Sequence, residues 1–194
     1  SGIRWYSASC APMSKAVHRE EVVRASAGAR VNRDRTPLIV ECHIPARARA
    51  PSARLIARWA DAALGPMGRG CEMSVQVVSA PRIRALNRRY RGKDKPTNVL
   101  AFPANAAQGV KPRPLGDVVI CPAVLRKEAL EQRKSEKAHW AHLVIHGALH
   151  LAGYDHETGE VDAKRMERRE IAVLRRLGFA NPYRETAAGR TRKR

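Results

Sequence analysis

Acidic residues are scarce in this chain. Its 194 residues hold 18 Asp and Glu against 37 Lys and Arg, a formal net charge of +19, with a sequence pI near 11.0. An imbalance of that size argues against a basic partner and for a polyanion, nucleic acid ahead of an anionic membrane surface. Long apolar runs are also missing. None approaches the roughly 18 residues that a membrane span needs, and the N-terminus lacks the apolar core of a secretory signal. Cysteine is sparse: Cys10, Cys42, Cys71 and Cys121 are scattered with no C-x-x-C pair. That spacing excludes a dense disulfide framework and suits reduced thiols. The expectation is a cytoplasmic protein with no membrane partner.

The charge is not confined to the ends. Residues 1–37 carry seven Lys/Arg against three Asp/Glu, and residues 184–194 carry five against one, which leaves +11 on residues 38–183. A surface that faces a polyanion therefore belongs to the folded body. Residues 1–37, rich in Ser, Ala and Arg, read as a basic flexible extension. It is an arm for RNA, an organelle-targeting remnant (against which Glu20 and Glu21 speak), or sequence upstream of a natural start at Met13. Residues 184–194, ending Arg190-Thr-Arg-Lys-Arg194, read as a basic disordered tail. Residues 38–183 suit one domain, and the 44% apolar content of the chain is ordinary for a globular core.

Within that body strands and helices are mixed. Leu38–His43 reads as a first strand, and Ser52 caps a helix to Leu64 whose Leu55, Ile56, Trp59 and Ala63 form one apolar stripe. Gly65–Gly70 breaks that helix, and Cys71–Val78 alternates as a half-buried strand. Pro81 opens a short helix with Ile83, Leu86 and Tyr90 toward the core and Arg82, Arg84, Arg88, Arg89 and Arg91 on its polar side. Gly92–Pro96 is a turn feeding a strand at Thr97–Phe102. Pro103–Pro114 reads as a loop, either a flap beside a site or a plain surface connection. Gly116–Cys121 is a short apolar strand, and Pro122 starts another helix. Ser135 and Glu136 begin a long helix. Glu160–Leu177 is amphipathic, with Met166, Val173, Leu174 and Leu177 inward and Gly178 as its stop. The fold class that follows is α+β, a single domain with a small mixed β-sheet packed by helices.

The long helix carries four histidines, His139, His142, His146 and His150, within a sector of about 80°. His146 and His150 lie one turn apart, and Gly153 falls where a left-handed residue lets the chain reverse and return His156 toward them. This H-x3-H-x5-H spacing points to one metal ion per chain held by His146, His150 and His156. Three neutral imidazoles favour Zn2+ and leave a coordination position open, as catalytic sites do. His139 and His142, further back, read as residues behind the ligands or facing RNA, and His43 as structural. Asp117 either orients a ligand histidine or caps backbone. The related frame H-E-x-x-H-x-x-G-x-x-H holds zinc in metallopeptidases, where the Glu is the general base. Here Gly147 stands in that place, so the ligand spacing survives without the base. Arg91 ends its helix before a Gly-containing turn, where a guanidinium can grip a phosphate with two parallel hydrogen bonds.

Three stretches together resemble the bacterial YbeY family of rRNA maturation factors and metal-dependent endoribonucleases: Leu86–Pro103, Gly116–Pro122 and His139–His156. Met166, Ile171, Leu177-Gly178 and Pro182-Tyr183 fit the closing helix and tail of that family, so the resemblance runs roughly from Leu38 to Tyr183. Ala101 departs from the family's usual Ser. The resemblance implies a YbeY-like domain over 38–183, with the His-bearing helix as the zincin-like floor of a cleft. It also implies single-strand-specific endoribonuclease activity in ribosomal RNA maturation (the 16S-type 3′ end) and ribosome quality control. Ribosomal RNA and the small ribosomal subunit or its assembly factors would be the partners, with Arg91 and His146 as catalytic residues. Attack by water activated at the metal and attack by the RNA 2′-hydroxyl both remain open. Two other classes stay open as well. A metallopeptidase is opposed by Gly147 and the positive charge, and a non-catalytic ribosome-assembly factor with a structural zinc is opposed by the count of three ligands.

Overall fold

A computed structural model describes residues 21–26, 36–105, 109–156 and 159–183, the first of these segments as backbone. Its strands are β1 (Glu21–Ser26), β2 (Ile39–Ile44), β3 (Cys71–Val77), β4 (Val99–Pro103) and β5 (Arg113–Ile120). They form one mixed sheet in the order β1-β2-β3-β5-β4. The central β2, β3 and β5 are parallel, and β1 and β4 close the edges antiparallel. The α-helices are α1 (Ala53–Leu64), α2 (Ala80–Arg91), α3 (Pro122–Glu131), α4 (Glu136–Leu151) and α5 (Glu160–Arg176). This is the α+β domain that the sequence implies.

Two boundaries differ from the sequence reading. β1 lies inside the stretch read as a flexible extension. Val22 and Val23 suit a strand, and the register runs from Glu21 opposite Ile44 to Ser26 opposite Ile39. The other residues of 1–35, and the tail 184–194, lie outside the described residues. The expected loop Pro103–Pro114 is shorter, because β4 runs to Pro103 and β5 already begins at Arg113. Residues 106–108 of that loop lie outside the described residues.

Strand alternation decides what each face of the sheet covers. Cys71, Met73, Val75 and Val77 of β3 are buried, while the residues between them are half-buried. Val99 and Ala101 of β4, with Val118 and Ile120 of β5, join the main core, where Trp59, Leu143, Leu149 and Met166 bring in α1, α4 and α5. The alternate residues Leu100, Phe102 and Val119 enter a second, smaller core with Ile83 and Leu86. That places α2 on the opposite face of the sheet from α1 and α4. Among the described residues Cys42, Cys71 and Cys121 are buried free thiols, and burial pushes the Cys42 thiol up to about 11. No described helix is long and apolar enough to cross a membrane.

Helix α4 is the hub. Every residue from His139 to Leu151 is buried, and the helix packs against α1, α3, α5, β4 and β5. A helix enclosed on all sides is expected to be apolar around its whole circumference, so its four histidines need a particular reason to be there. Ser135 starts it by accepting the Ala138 N–H at 3.1 Å, which satisfies one of the donors that a helix start leaves over. Gly147 brings it close to the sheet. A Cβ at that position would lie 2.6 and 2.9 Å from the two methyls of Val118 on β5. No carboxylate fits where a metallopeptidase carries its base, because the sheet occupies that space.

Gly147→Ala is accordingly expected to lower stability by about 1–3 kcal/mol through overpacking. Measured by denaturant unfolding, the cost should shrink when Val118→Ala is already present, since the two positions touch each other. Full additivity of the two changes would contradict the close approach.

Candidate metal centre

The chain reversal after α4 is local. Gly153 takes φ +88°, a conformation that costs glycine little and other residues more. The N–H of Gly153 donates to the His150 carbonyl, and that of Tyr154 to the Leu149 carbonyl, both at 3.0 Å. The reversal carries His156 back against the last turn of the helix. Its ring centroid lies 5.4 Å from that of His146 and 5.1 Å from that of His150, and the latter two are 4.6 Å apart. Each of the three offers a ring nitrogen, and the donor atoms all lie within 4.8 Å of one another. Nε2 of His146 and Nε2 of His150 face each other at 3.0 Å.

Glu170 explains the buried histidines. This carboxylate on α5 is fully buried. His146 Nδ1 donates to its Oε1 at 2.5 Å and His142 Nε2 to its Oε2 at 3.1 Å. The Tyr183 hydroxyl also donates to Oε2. Burial works to raise the Glu170 pKa, but the neighbouring His146 and the hydrogen bonds from His142 and His146 prevail. The carboxyl is held well below the usual range. A carboxylate taking the Nδ1–H of His146 leaves that ring's Nε2 as a lone pair, which is the arrangement that orients metal-bound histidines. His142, His146 and Glu170 form a second cluster of donor atoms. Their contacts to one another are hydrogen bonds between buried groups.

The three-imidazole donor set fits a late first-row divalent ion. Coordination needs neutral rings, and burial followed by the adjacent His146 and His156 pushes His150 down to about 3. Burial lowers His146 and His156 as well. An ion at this centre would meet rings already free of protons near neutrality.

The remaining candidates separate. Arg91 is the half-buried last residue of α2, followed by Gly92 in the left-handed conformation. Asn87 secures the turn by donating to the Lys95 carbonyl at 2.7 Å. After burial and the neighbouring rings, the Arg91 charge is among the influences that lower His146 and His150. His139 and His142 are 1% and 4% exposed, and their rings turn to the carboxylates of Glu128 and Glu170. His139 bonds to Glu128 at 2.9 Å, an oxygen that Asn98 also reaches at 2.8 Å. Asp117 neither orients a histidine nor caps backbone; it accepts the Ser74 hydroxyl. His43 stays on β2 in register with Gln76 and belongs to neither donor cluster. Glu170 and Tyr183 are not among the functional candidates read from the sequence. A signal for Glu170 exists, because it sits on the inward stripe of α5 between Met166 and Val173, Leu174. A lone carboxylate on an apolar stripe requires a buried partner.

The depressed ring pKa values have a measurable consequence. Three ordinary histidines of pKa near 6.5 would lose about 10³ in metal affinity between pH 7.5 and 5.5, through competition from protons. Burial lowers all three rings, His150 to about 3, so protons compete less and the affinity of the folded protein is expected to fall by clearly less than about 10³ over this window, whereas a full fall of that size would contradict the burial of the rings. A competition titration with a chromophoric chelator at several pH values checks this.

A family model described as Endoribonuclease YbeY matches residues 47–178. A curated relative from Halorhodospira halophila (strain DSM 244 / SL1), named Endoribonuclease YbeY, is 48% identical over 143 residues, covering 72% of this chain and 92% of the relative. A solution structure from Thermotoga maritima superposes with a TM-score of 0.50 at 28% identity, over 67% of this chain and 85% of that one. With its histidine centre, its buried carboxylate and this extent of match, the chain belongs to the YbeY endoribonuclease family.

Proposed function

We propose that this protein is a metal-dependent endoribonuclease that cleaves single-stranded RNA in ribosomal RNA maturation. In this reading it works in the cytoplasm with ribosomal RNA and the small subunit or its assembly factors, and holds one Zn2+ through His146, His150 and His156. The observation that carries the reading is a centre of three imidazoles whose donor atoms all lie within 4.8 Å of one another. The relative's name supports it, as does the net charge of +19, which suits a polyanionic substrate.

An ion held by His146, His150 and His156 would supply Lewis-acid chemistry to water and phosphate. The chain's own residues do the rest. Arg91 holds the scissile phosphate through its planar fork and offsets the negative charge that grows on it. Glu170 keeps the His146 ring from turning, and His142 and Tyr183 keep Glu170 in place. The apolar packing of α4 excludes bulk water from the back of the site, which strengthens each of these interactions. Peptide hydrolysis is disfavoured by the close approach of Gly147 to Val118.

Two tests follow. The His146→Ala, His150→Ala double variant should lose the roughly one equivalent of metal that elemental analysis is expected to find in the parent, along with cleavage of a ribosomal RNA fragment. Full metal content in the variant would refute the ligand assignment. Arg91→Ala should keep fold and metal while cleavage falls about 10²- to 10³-fold, the scale of losing one charge-stabilising donor. Arg91→Lys should recover only part of that. Parent-like cleavage by Arg91→Ala, together with indifference to chelator, would leave the metal a structural role.

A further inference from the structure

Helix α2 carries five arginines and no acidic residue, and they fall into two groups. At about 100° per residue, Arg84, Arg88 and Arg91 occupy one stripe at i, i+4 and i+7, opposite Arg82 and Arg89 and flanking the face that buries Ile83 and Leu86. The stripe runs along the helix to Arg91 at its end. Its first two members line an open groove of about 570 Å³ completed by Ala85, Asp94 and Pro96. Arg84 is held in that groove by a two-pronged bond to Asp94, with both contacts at 2.8 Å.

The basic residues of α5 are disposed differently. On α5, Glu160, Asp162 and Glu167 are interspersed among the basic residues. Two of its arginines are engaged structurally, with Arg169 and Arg176 donating to the Ala63 and Ala62 carbonyls at 3.2 Å.

We infer that the Arg84–Arg88 groove is a subsite for the RNA backbone, gripping the phosphates that flank the one held by Arg91. This rests on the endoribonuclease reading and extends it by specifying the path of the substrate. The rise of the helix separates the three positions by about 6 and 4.5 Å along its axis, steps that long arginine side chains can match to successive phosphates of an extended strand. Asp94 fixes one edge of the Arg84 guanidinium and leaves its other N–H groups to the groove. Contacts of this kind bind phosphate without reading bases, so the subsite would be indifferent to sequence and sensitive to salt.

The test compares Arg84→Ala, Arg88→Ala and their double variant with the parent on a labelled single-stranded RNA of about a dozen nucleotides, using metal-loaded protein. Lys127→Ala serves as the control, because Lys127 is an exposed cation on another helix and its replacement removes the same charge. The double variant should raise KM about tenfold with kcat within a factor of two or three. It should also make the slope of log affinity against log salt shallower by about 0.7 for each phosphate that is no longer neutralised, with metal content and unfolding midpoint at parent values. Parent-like KM and salt slope in the double variant would overturn the subsite while leaving the nuclease reading intact, as would an equal effect from Lys127→Ala, which would mean diffuse attraction by net charge. A fall confined to kcat would also overturn it, since it would place these arginines in the chemical step. Failure of the parent itself to cleave with metal present would instead strike the endoribonuclease reading.

Discussion

A buried carboxylate that accepts from three partners is the interaction on which the candidate centre depends. Glu170 is fully enclosed, and an isolated charge in such a place would be prohibitively costly. His142, His146 and Tyr183 remove that cost by donating to it. In doing so they tie α5 and the residues beyond it to α4. The carboxylate in turn determines which nitrogen of His146 carries the proton and which faces the other histidines. The polar network thus does two jobs with one set of bonds: it fastens a helix that is otherwise held by apolar contacts, and it sets the orientation of a ring in the site.

The second constraint is steric. Gly147 lets α4 lie against Val118, so the helix that bears the histidines is seated directly on β5. The geometry separates this chain from peptidases with similar ligand spacing by more than the loss of one carboxylate. The space that such a side chain would need is filled by the sheet. Arg91 ends a helix that is anchored through Ile83 and Leu86 to the opposite face of the same sheet. The candidate site therefore draws its basic and its imidazole components from two separately packed cores.

Most of the fold was legible because its signals are local. The alternation of Cys71–Val77, the stripe of α1 and the Ser135 start of α4 each depend on residues close in sequence. The three histidines were legible for the same reason, since one turn of helix and one left-handed glycine set their spacing. Glu170 was hidden because its partners are 24 and 28 residues away. Its stripe position shows only that something must satisfy it, not what. His139 had two readings, behind the ligands or facing RNA, because its partner Glu128 lies on another helix and only packing brings the two together. β1 was masked by the composition around it, since a short paired edge strand is specified by its neighbour as much as by its own residues.

The role of Glu170 can be tested without reference to turnover. Glu170→Gln keeps the shape of the side chain and removes its charge. Zinc affinity of the folded variant, measured by chelator competition near pH 7 with unfolding followed in parallel, is expected to be about 10- to 100-fold weaker than that of the parent, the usual consequence of losing the group that orients a ligand histidine. A folded Glu170→Gln protein that binds zinc as tightly as the parent would contradict the account, because His146 would then hold its orientation without the carboxylate.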